Sequence, residues 1–179
     1  MKMLKYLSVG IIGLLLITGC SPVKILDTQK IGDFSLANYS TFDFYHMGVD
    51  GNTGSEFGER VHWIMDEIAA QMKEKGVKQS DENPDLLINI GLAFVEKVQT
   101  RETDFRTDAP RYVGSLNYSW QSETVAVGTY EEGTMVVHFV DSEDLVLLWE
   151  GISQSVVLKG DKAAQKNIAT GVSKLMADF

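Results

Sequence analysis

The sequence predicts an α+β domain in which two amphipathic helices pack on one face of an antiparallel sheet, with a mixed sheet as the alternative. Two segments with apolar residues at helical spacing, near residues 57–72 and 164–179, flank several runs in which apolar and polar residues alternate. A helix with one apolar stripe must bury it, and one face of a sheet is the natural surface for two such helices. The expected order of elements is β-α-β-β-β-β-α.

The first helix is predicted to begin at Gly54 or Ser55 and to end at Gly76. Thr53 and Glu56 have the spacing of a capping box, in which two side chains satisfy free backbone N–H groups at a helix start. Gly76 offers the left-handed conformation that commonly ends a helix. The apolar stripe that must face the core consists of Phe57, Val61, Ile64, Ile68 and Met72.

Strands are predicted on both sides of this helix. The first covers residues 36–45, where Phe42 and Phe44 alternate with polar residues. A long strand follows, and its buried face is expected to carry Leu86, Ile88, Ile90, Leu92 and Phe94. Residues 96–111 are charged and include Pro110, which indicates a mobile loop or ragged strand ends.

The second half of the chain is predicted to begin with a strand at residues 116–121, continued past a bend through Val125 and Val127. Residues 131–133, Glu-Glu-Gly, are interpreted as a turn before the next strand.

A hairpin and a helix complete the predicted domain. Residues 134–140 and 145–158 are expected to pair through the polar turn 141–144, with a bulge at Gly151. Asp161 is expected to cap the last helix. The stripe of that helix consists of Ala164, Ile168, Val172, Leu175 and Phe179.

The N-terminal segment has the three parts of a signal peptide: a positive start, an apolar run and small residues at a cleavage point. Lys2 and Lys5 precede the apolar run Tyr6–Ile17, which is shorter than the roughly 20 residues of a membrane-spanning helix. Leu16-Ile17-Thr18-Gly19-Cys20 resembles the lipobox of bacterial lipoproteins. The alternatives are an uncleaved membrane helix and a buried core helix with an incidental cysteine.

The resemblance to a lipobox implies cleavage between Gly19 and Cys20, lipidation of Cys20 and attachment to a membrane through that lipid. Ser21, directly after the lipidated cysteine, implies sorting to the outer membrane of a Gram-negative cell, with the domain facing the periplasm; in a host with one membrane, the anchor would lie there. The expected organisation is a signal peptide at 1–19, a lipidated cysteine and tether at 20–35, and a single domain at 36–179. The tether also contains apolar residues that could form an edge strand, namely Ile25, Leu26 and Ile31.

The net charge and the cysteine count make several classes of partner and cofactor unfavourable. The formal charge is −9, and removal of Lys2 and Lys5 with the signal makes it −11. A chain this acidic is poorly suited to nucleic acid, which is bound by clusters of Lys and Arg. Cys20 is the only cysteine, so neither a disulfide nor a cysteine metal ligand is expected, and we expect no cofactor.

Candidate chemical sites in the sequence are weak. His138, Asp141 and Ser142 could form a hydrolase triad, but all three lie in one predicted hairpin, whereas triad residues normally come from separate elements. Two acidic groups could bind calcium, yet neither has the spacing of an EF-hand loop; they are Asp141 with Glu143 and Asp144, and Asp43 with Asp50 and Asn52. We therefore expect no catalytic residues and no metal site.

Three tryptophans could serve packing or docking. Trp149 is expected in the core, whereas Trp63 lies off the helix stripe and Trp120 shares a predicted strand face with Tyr118. The alternatives for Trp63 and Trp120 are core packing and a small apolar groove that docks a partner.

The strongest likeness to a known family lies in the order of several short motifs across residues 36–179. These are Tyr39-Ser40-Thr41-Phe42-Asp43-Phe44, Lys75-Gly76 at a helix end, Pro84-Asp85-Leu86-Leu87-Ile88, Glu132-Gly133-Thr134, Val140-Asp141 and Leu148-Trp149-Glu150-Gly151. In this the chain resembles the bacterial lipoprotein family known as domain of unknown function 4136 (DUF4136). The resemblance implies the architecture and an envelope location, and it brings no assigned catalytic residues.

The sequence thus favours a non-enzymatic lipoprotein with a structural, assembly or protein-interaction role and an envelope protein as partner. The first alternative is a binding module whose sheet and helices enclose an apolar or lipid-like ligand. The second is an envelope hydrolase.

Overall fold

A computed structural model describes residues 23–45, 55–108, 120–177 and 179, without the side chains of residues 55–57. Within these ranges the chain forms one six-stranded sheet and two α-helices, which confirms the α+β class. The elements are β1 (Lys24–Lys30), a 3-10 turn (Leu36–Asn38), β2 (Thr41–Phe44), α1 (Ser55–Glu74), β3 (Lys78–Gln79), β4 (Leu86–Glu102), β5 (Thr124–Asp141), β6 (Leu147–Val156) and α2 (Asp161–Leu175).

The sheet is mixed, with the strand order β1-β6-β5-β4-β2-β3. The pairs β1–β6, β6–β5 and β5–β4 are antiparallel. Strand β2 runs parallel to both β4 and β3. Parallel neighbours need a crossover connection, and α1 provides it between β2 and the strands that follow. The mixed alternative is therefore the observed one.

Both helices cover the same face of the sheet, as predicted. One cluster of buried side chains joins α1, α2 and the face that carries Phe42, Leu86 and Phe139. The helices contribute Ile64, Ile68, Met72, Val172 and Leu175, each at most 4% exposed. We call the sheet surface on the other side, which carries Asn89, His138 and Glu150, the outer face.

The segment interpreted as a tether contains β1, so the alternative of an edge strand is the one observed. β1 pairs antiparallel with β6 from Lys24 opposite Gln154 to Lys30 opposite Trp149. Val23, just before this strand, is only 5% exposed. The folded part of the chain therefore includes residues that the sequence assigned to the tether.

β4 and β5 are longer than predicted. Residues 96–102 continue β4, and the predicted turn at 131–133 is wrong, because these residues pair with β4 in the middle of β5. The glycine at position 133 is explained by packing rather than by a turn, because a Cβ atom there would lie 3.2 Å from Cε1 of Phe94. A glycine in a strand can thus mark the close approach of a neighbouring side chain.

Four local predictions need correction. Leu36–Asn38 form a 3-10 turn before a shorter strand β2, and residues 120–123 precede β5 without forming a strand. Asp161 is the first residue of α2, and Gly160 takes the N-cap position. Gly151 pairs in regular register, while the shift between β5 and β6 lies at Phe139 and Val140. Thr53 and residues 109–119 lie outside the described ranges.

Candidate functional site

The predicted lipidation, sorting and cleavage residues, Cys20, Ser21 and Gly19, lie outside the described residues. Val23 marks where the N-terminal segment enters the fold. Its carbonyl oxygen accepts a hydrogen bond of 3.4 Å from Lys174 Nζ, and its side chain lies against Gly171 of α2. This entry point is therefore held on the helix-covered face at the end of β6.

Beside Val23, the sheet and both helices line a half-open apolar cavity of about 80 Å³. α1 supplies Ile64, α2 supplies Ala164 and Ile168, and β4 supplies Leu92 and Phe94. A site lined mainly by apolar side chains with few polar groups is typical of small-molecule pockets.

Polar groups border this cavity. Asn167 Nδ2 donates to Ser155 Oγ and to the carbonyl of Val156, both at 3.2 Å, which ties α2 to the end of β6. An Arg60 guanidinium nitrogen lies 3.5 Å from the carbonyl oxygen of Leu158. These contacts hold the cavity walls together and leave its interior mainly apolar.

On the outer face, His138 Nε2 lies 2.8 Å from Glu150 Oε2, and both side chains are about 30% exposed. Asn89, which pairs with His138 across β4 and β5, has a buried Oδ1 atom without a hydrogen-bond partner in the described structure. Asn89 also lines an open pocket of about 230 Å³ together with Tyr45, Leu87, Val140 and Leu145.

The structure does not assemble the hydrolase triad that the sequence allowed. His138 pairs with Glu150, whereas Asp141 Oδ1 accepts the backbone N–H groups of Glu143 and Asp144 at 2.9 and 3.1 Å. The hydroxyl of Ser142 donates to the carbonyl of Pro84. Asp141 therefore shapes the turn between β5 and β6, as predicted, and Ser142 ties that turn to the segment before β4.

The described members of the acidic groups considered for calcium have other partners or do not form a cluster. The carboxylate of Asp141 is aimed at its own turn, and Asp43 Oδ1 accepts a bond of 3.1 Å from Gln79 Nε2. Asp50 and Asn52 lie outside the described residues. Across the described ranges, no group of three or more His, Cys, Asp or Glu side chains is arranged to hold a metal ion.

The three tryptophans have different environments. Trp149 is 1% exposed and packs against the rings of Phe139 and Phe179, with centroids 4.9 and 4.8 Å away, so its assignment to the core is confirmed. Trp63 is half-buried on α1. Trp120 contacts Phe105 edge to face, with the ring centroids 6.0 Å apart.

Sequence reasoning missed a projecting two-stranded ribbon, which we call the arm: residues 95–102 of β4 and 124–131 of β5, with the adjoining residues 103–108 and 120–123 at its tip. It continues beyond the ends of β6 and β1, and it has a high share of exposed apolar side chains. These are Val95, Val98, Phe105 and Val127, which are 54%, 60%, 51% and 49% exposed. Their spacing was visible in the sequence, but the charged residues between them favoured a loop.

Polar contacts hold the arm at both ends. At its root, Glu132 Oε1 accepts from Lys97 Nζ at 2.8 Å and from Gln154 Nε2 at 3.0 Å, and the bond to Glu132 raises the pKa of Lys97. At its tip, both terminal nitrogens of Arg101 donate to the carboxylate of Asp108, at 2.5 and 2.7 Å. Arg101 is the main reason that the pKa of Asp108 lies well below its usual range.

Residues 26–179 match the model of the family "Domain of unknown function (DUF4136)". A comparison with curated proteins finds no match. Among solved structures, a PDZ domain protein from Parabacteroides distasonis is similar, with 18% identity and a TM-score of 0.50, over 87% of this chain and 34% of that one. This chain thus spans about a third of that protein, and the likeness concerns the fold alone.

Two other solved structures are more distantly similar. A PelC dodecamer from Paraburkholderia phytofirmans has 9% identity and a TM-score of 0.40, over 86% of this chain and 96% of that one. A homolog of the neuraminyllactose-binding hemagglutinin from Helicobacter pylori has 15% identity and a TM-score of 0.38, over 78% of this chain and 79% of that one. In the described part of the chain, every helix falls short of the length or apolar character required to cross a bilayer.

Proposed function

The chain belongs to the DUF4136 family, and from that premise we propose that it is a lipid-anchored envelope protein whose domain has a non-catalytic structural, assembly or protein-interaction role. The observation that carries the proposal is the run Leu16-Ile17-Thr18-Gly19-Cys20. Only Ser21 and Pro22 separate Cys20 from Val23, where the described fold begins. Such a short connection would hold the domain close to the membrane that receives the lipid.

The energetics favour a permanent anchor. Each buried methylene of an acyl chain contributes about 0.8 kcal/mol, and stable anchoring takes two lipid signals. A diacylglycerol group on the sulfur of Cys20, usually joined by an acyl chain on its amino group, would meet that requirement. We place the anchor in the outer membrane of a Gram-negative cell because Ser21 follows Cys20.

Metabolic labelling with a clickable fatty acid tests the anchor. The wild type is expected to incorporate the label, and Cys20→Ala is expected to incorporate none and to retain its signal peptide. Ser21→Ala serves as the matched control, since it leaves the cysteine in place. A wild type without label would contradict the proposal, whatever the behaviour of the folded domain.

The non-catalytic part of the proposal is supported by the use of the polar side chains that the sequence offered for chemistry. His138 is paired with Glu150, Asp141 accepts backbone N–H groups of its own turn, and the hydroxyl of Ser142 donates to the carbonyl of Pro84 before β4. Crosslinking in intact cells followed by pull-down is expected to recover one envelope protein reproducibly. Recovery of the chain without any partner would count against a protein-interaction role.

A second candidate function, binding of an apolar or lipid-like ligand, is supported by the cavity beside Val23, whose volume of about 80 Å³ would admit a small apolar group such as the end of an acyl chain. Native mass spectrometry of gently extracted protein would then show a stoichiometric small molecule. Ala164→Leu adds volume to the α2 wall of the cavity and is expected to displace that molecule. Ala70→Leu, on the exposed side of α1, is the control that should leave it bound.

A further inference from the structure

We propose that the arm is a membrane-contacting element whose apolar side chains and aromatic tip lie in the headgroup region of the bilayer that holds the anchor. This inference rests on the proposed lipidation of Cys20 and deepens it, because it assigns a second point of contact. It commits to a lipid surface as the occupant of the exposed apolar residues on the arm.

The arm and the N-terminal segment leave the sheet at the same end. β1 begins with Lys24 opposite Gln154 of β6, and Gln154 in turn lies opposite Thr134 of β5. The arm extends from this level toward Thr124, beyond the end of β6. Lys24 also lines one pocket together with Gln99 and Tyr130 of the arm, so the start of β1 is near the arm root.

The connection from the fold to the anchor is much shorter than the arm. From Val23 back to Cys20 there are three residue steps, which span at most about 10 Å. From Thr134 to Thr124 the strand covers ten residue steps, or roughly 30 Å at the usual rise per residue. A lipid at Cys20 would therefore bring the bilayer surface within reach of the arm, and an arm of this length would lie along the headgroup region rather than across the bilayer.

Side-chain and backbone contacts hold the arm in the direction in which it leaves the sheet. Glu132 links Lys97 of β4 and Gln154 of β6 at the root, so three strands are joined where the arm begins. Farther along the described part of the arm, Arg101 and Asp108 form a bidentate ion pair. Backbone pairing between β4 and β5 is continuous over this length apart from one irregularity between Gln99 and Thr100.

The surface of the arm suits an interface between lipid and water. Val98 and Val127 are 60% and 49% exposed on a two-stranded ribbon, an arrangement that is marginally stable in water without a covering layer. Phe105 and Trp120 pack edge to face near the tip, and tryptophan is enriched at the headgroup level of membranes.

The charges on the arm indicate which forces would operate. Its described residues include the cations Lys97, Arg101 and Arg106, and a larger number of acidic side chains. The acidic residues are Glu96, Glu102, Asp104, Asp108, Glu123 and Glu131. The described residues of the arm therefore do not favour attraction to anionic lipid, and contact with zwitterionic lipid should persist at high salt.

Single-cysteine labelling of the full, lipidated chain tests the proposal. Because the sulfur of the native cysteine is alkylated in the lipidated protein, Val98→Cys and Val127→Cys each provide one free thiol for the fluorophore NBD. Val146→Cys is the matched control, since Val146 is 52% exposed in the turn at the opposite end of the sheet. The labelled proteins are reconstituted into phosphatidylcholine vesicles with and without doxyl-labelled phosphatidylcholine.

We expect the emission of NBD at positions 98 and 127 to shift to shorter wavelength and to lose intensity to the doxyl lipid, whereas position 146 does neither. Equal responses at all three positions would overturn the proposal. If the thiols at positions 98 and 127 were protected from the thiol reagent in native envelopes, but their NBD emission were not quenched by doxyl lipid in vesicles, the proposal would also be overturned. That result would indicate a protein partner. A wild-type chain that itself reacts with the thiol reagent would identify the anchor as the step that failed, and the arm proposal would fall with it.

Discussion

The indole ring of Trp149 occupies the space above Gly151, two residues further along the same face of β6. A Cβ atom at position 151 would lie 2.7 Å from Cζ2 of Trp149 and 2.9 Å from Cδ1 of Leu175 on α2. The glycine thus allows the largest buried side chain in the described core to lie flat between the sheet and the helix. The pair Trp149 and Gly151 accounts for a glycine that the sequence could only interpret as a bulge.

Gly151→Ala is therefore expected to destabilise the domain by about 1–3 kcal/mol, because the indole and Leu175 must move in a close-packed core. Chemical denaturation would measure the change. Gly91→Ala is the control: a Cβ atom there meets only Cβ of Val136 at 3.8 Å, an ordinary contact. A loss of similar size for both variants would mean that the substitution acts through the strand backbone rather than through Trp149.

The even-numbered face of β4 passes from core to solvent along its length. Ile88 is 1% exposed, whereas Val98, on the same face of the strand, is 60% exposed. Ile88→Asp would bury a carboxylate and should cost several kcal/mol, comparable with the whole stability of a small domain. Val98→Asp should change the free energy of unfolding little. If thermal unfolding showed the reverse ranking, the assigned boundary between core and arm would be incorrect.

Asp85 joins the starts of β2 and β4. Its Oδ2 atom accepts the backbone N–H groups of Ser40 and Thr41 at 2.8 and 2.9 Å, and its own N–H donates to Thr41 Oγ1 at 3.0 Å. The two backbone bonds are the main cause that lowers the pKa of this carboxyl below its usual value. The charged form is therefore favoured in the folded state, even though the side chain is exposed to solvent.

Asp85→Asn should consequently lower stability at neutral pH by about 1 kcal/mol, a modest value because solvent screens the exposed charge. The pKa of Asp85 is lower when folded than when unfolded, so the advantage of the wild type is present above the unfolded pKa of about 3.9. It should vanish as pH falls through the folded-state pKa. Urea titrations across this pH range would measure the free energy of unfolding, with exposed Asp81→Asn as the control. If the linkage were absent, the difference between the wild type and Asp85→Asn would stay constant with pH.

The residue after the anchor makes a separate prediction about sorting. In a Gram-negative host, the wild type with Ser21 is expected in outer-membrane fractions of a density gradient, and Ser21→Asp is expected in the inner membrane. Ser21→Thr is the control that should not move. Lipidated protein that stays in one fraction whether serine or aspartate follows the cysteine would refute the sorting rule for this chain and leave the anchor itself intact.

Sequence by itself determined the α+β class, the two helices and the buried face of each. The stripe through Ile64, Ile68 and Met72 and the alternation from Leu86 record which side of each element meets the core, because burial selects apolar side chains at the period of the element. The lipobox-like run is likewise readable without a structure. In the turn at Asp141, local side-chain chemistry was sufficient, because its partners lie two and three residues away.

Only the tertiary structure decided which strands are neighbours and how far they extend. The pairing of β1 with β6 and the parallel pairing of β2 with β4 join backbone groups distant in the chain, and backbone hydrogen bonds leave no signature in side-chain periodicity. The arm was hidden for a related reason. Val95 and Val98 are exposed among charged residues, so the contrast between a buried and a solvated face, on which sequence reasoning depends, is lost there.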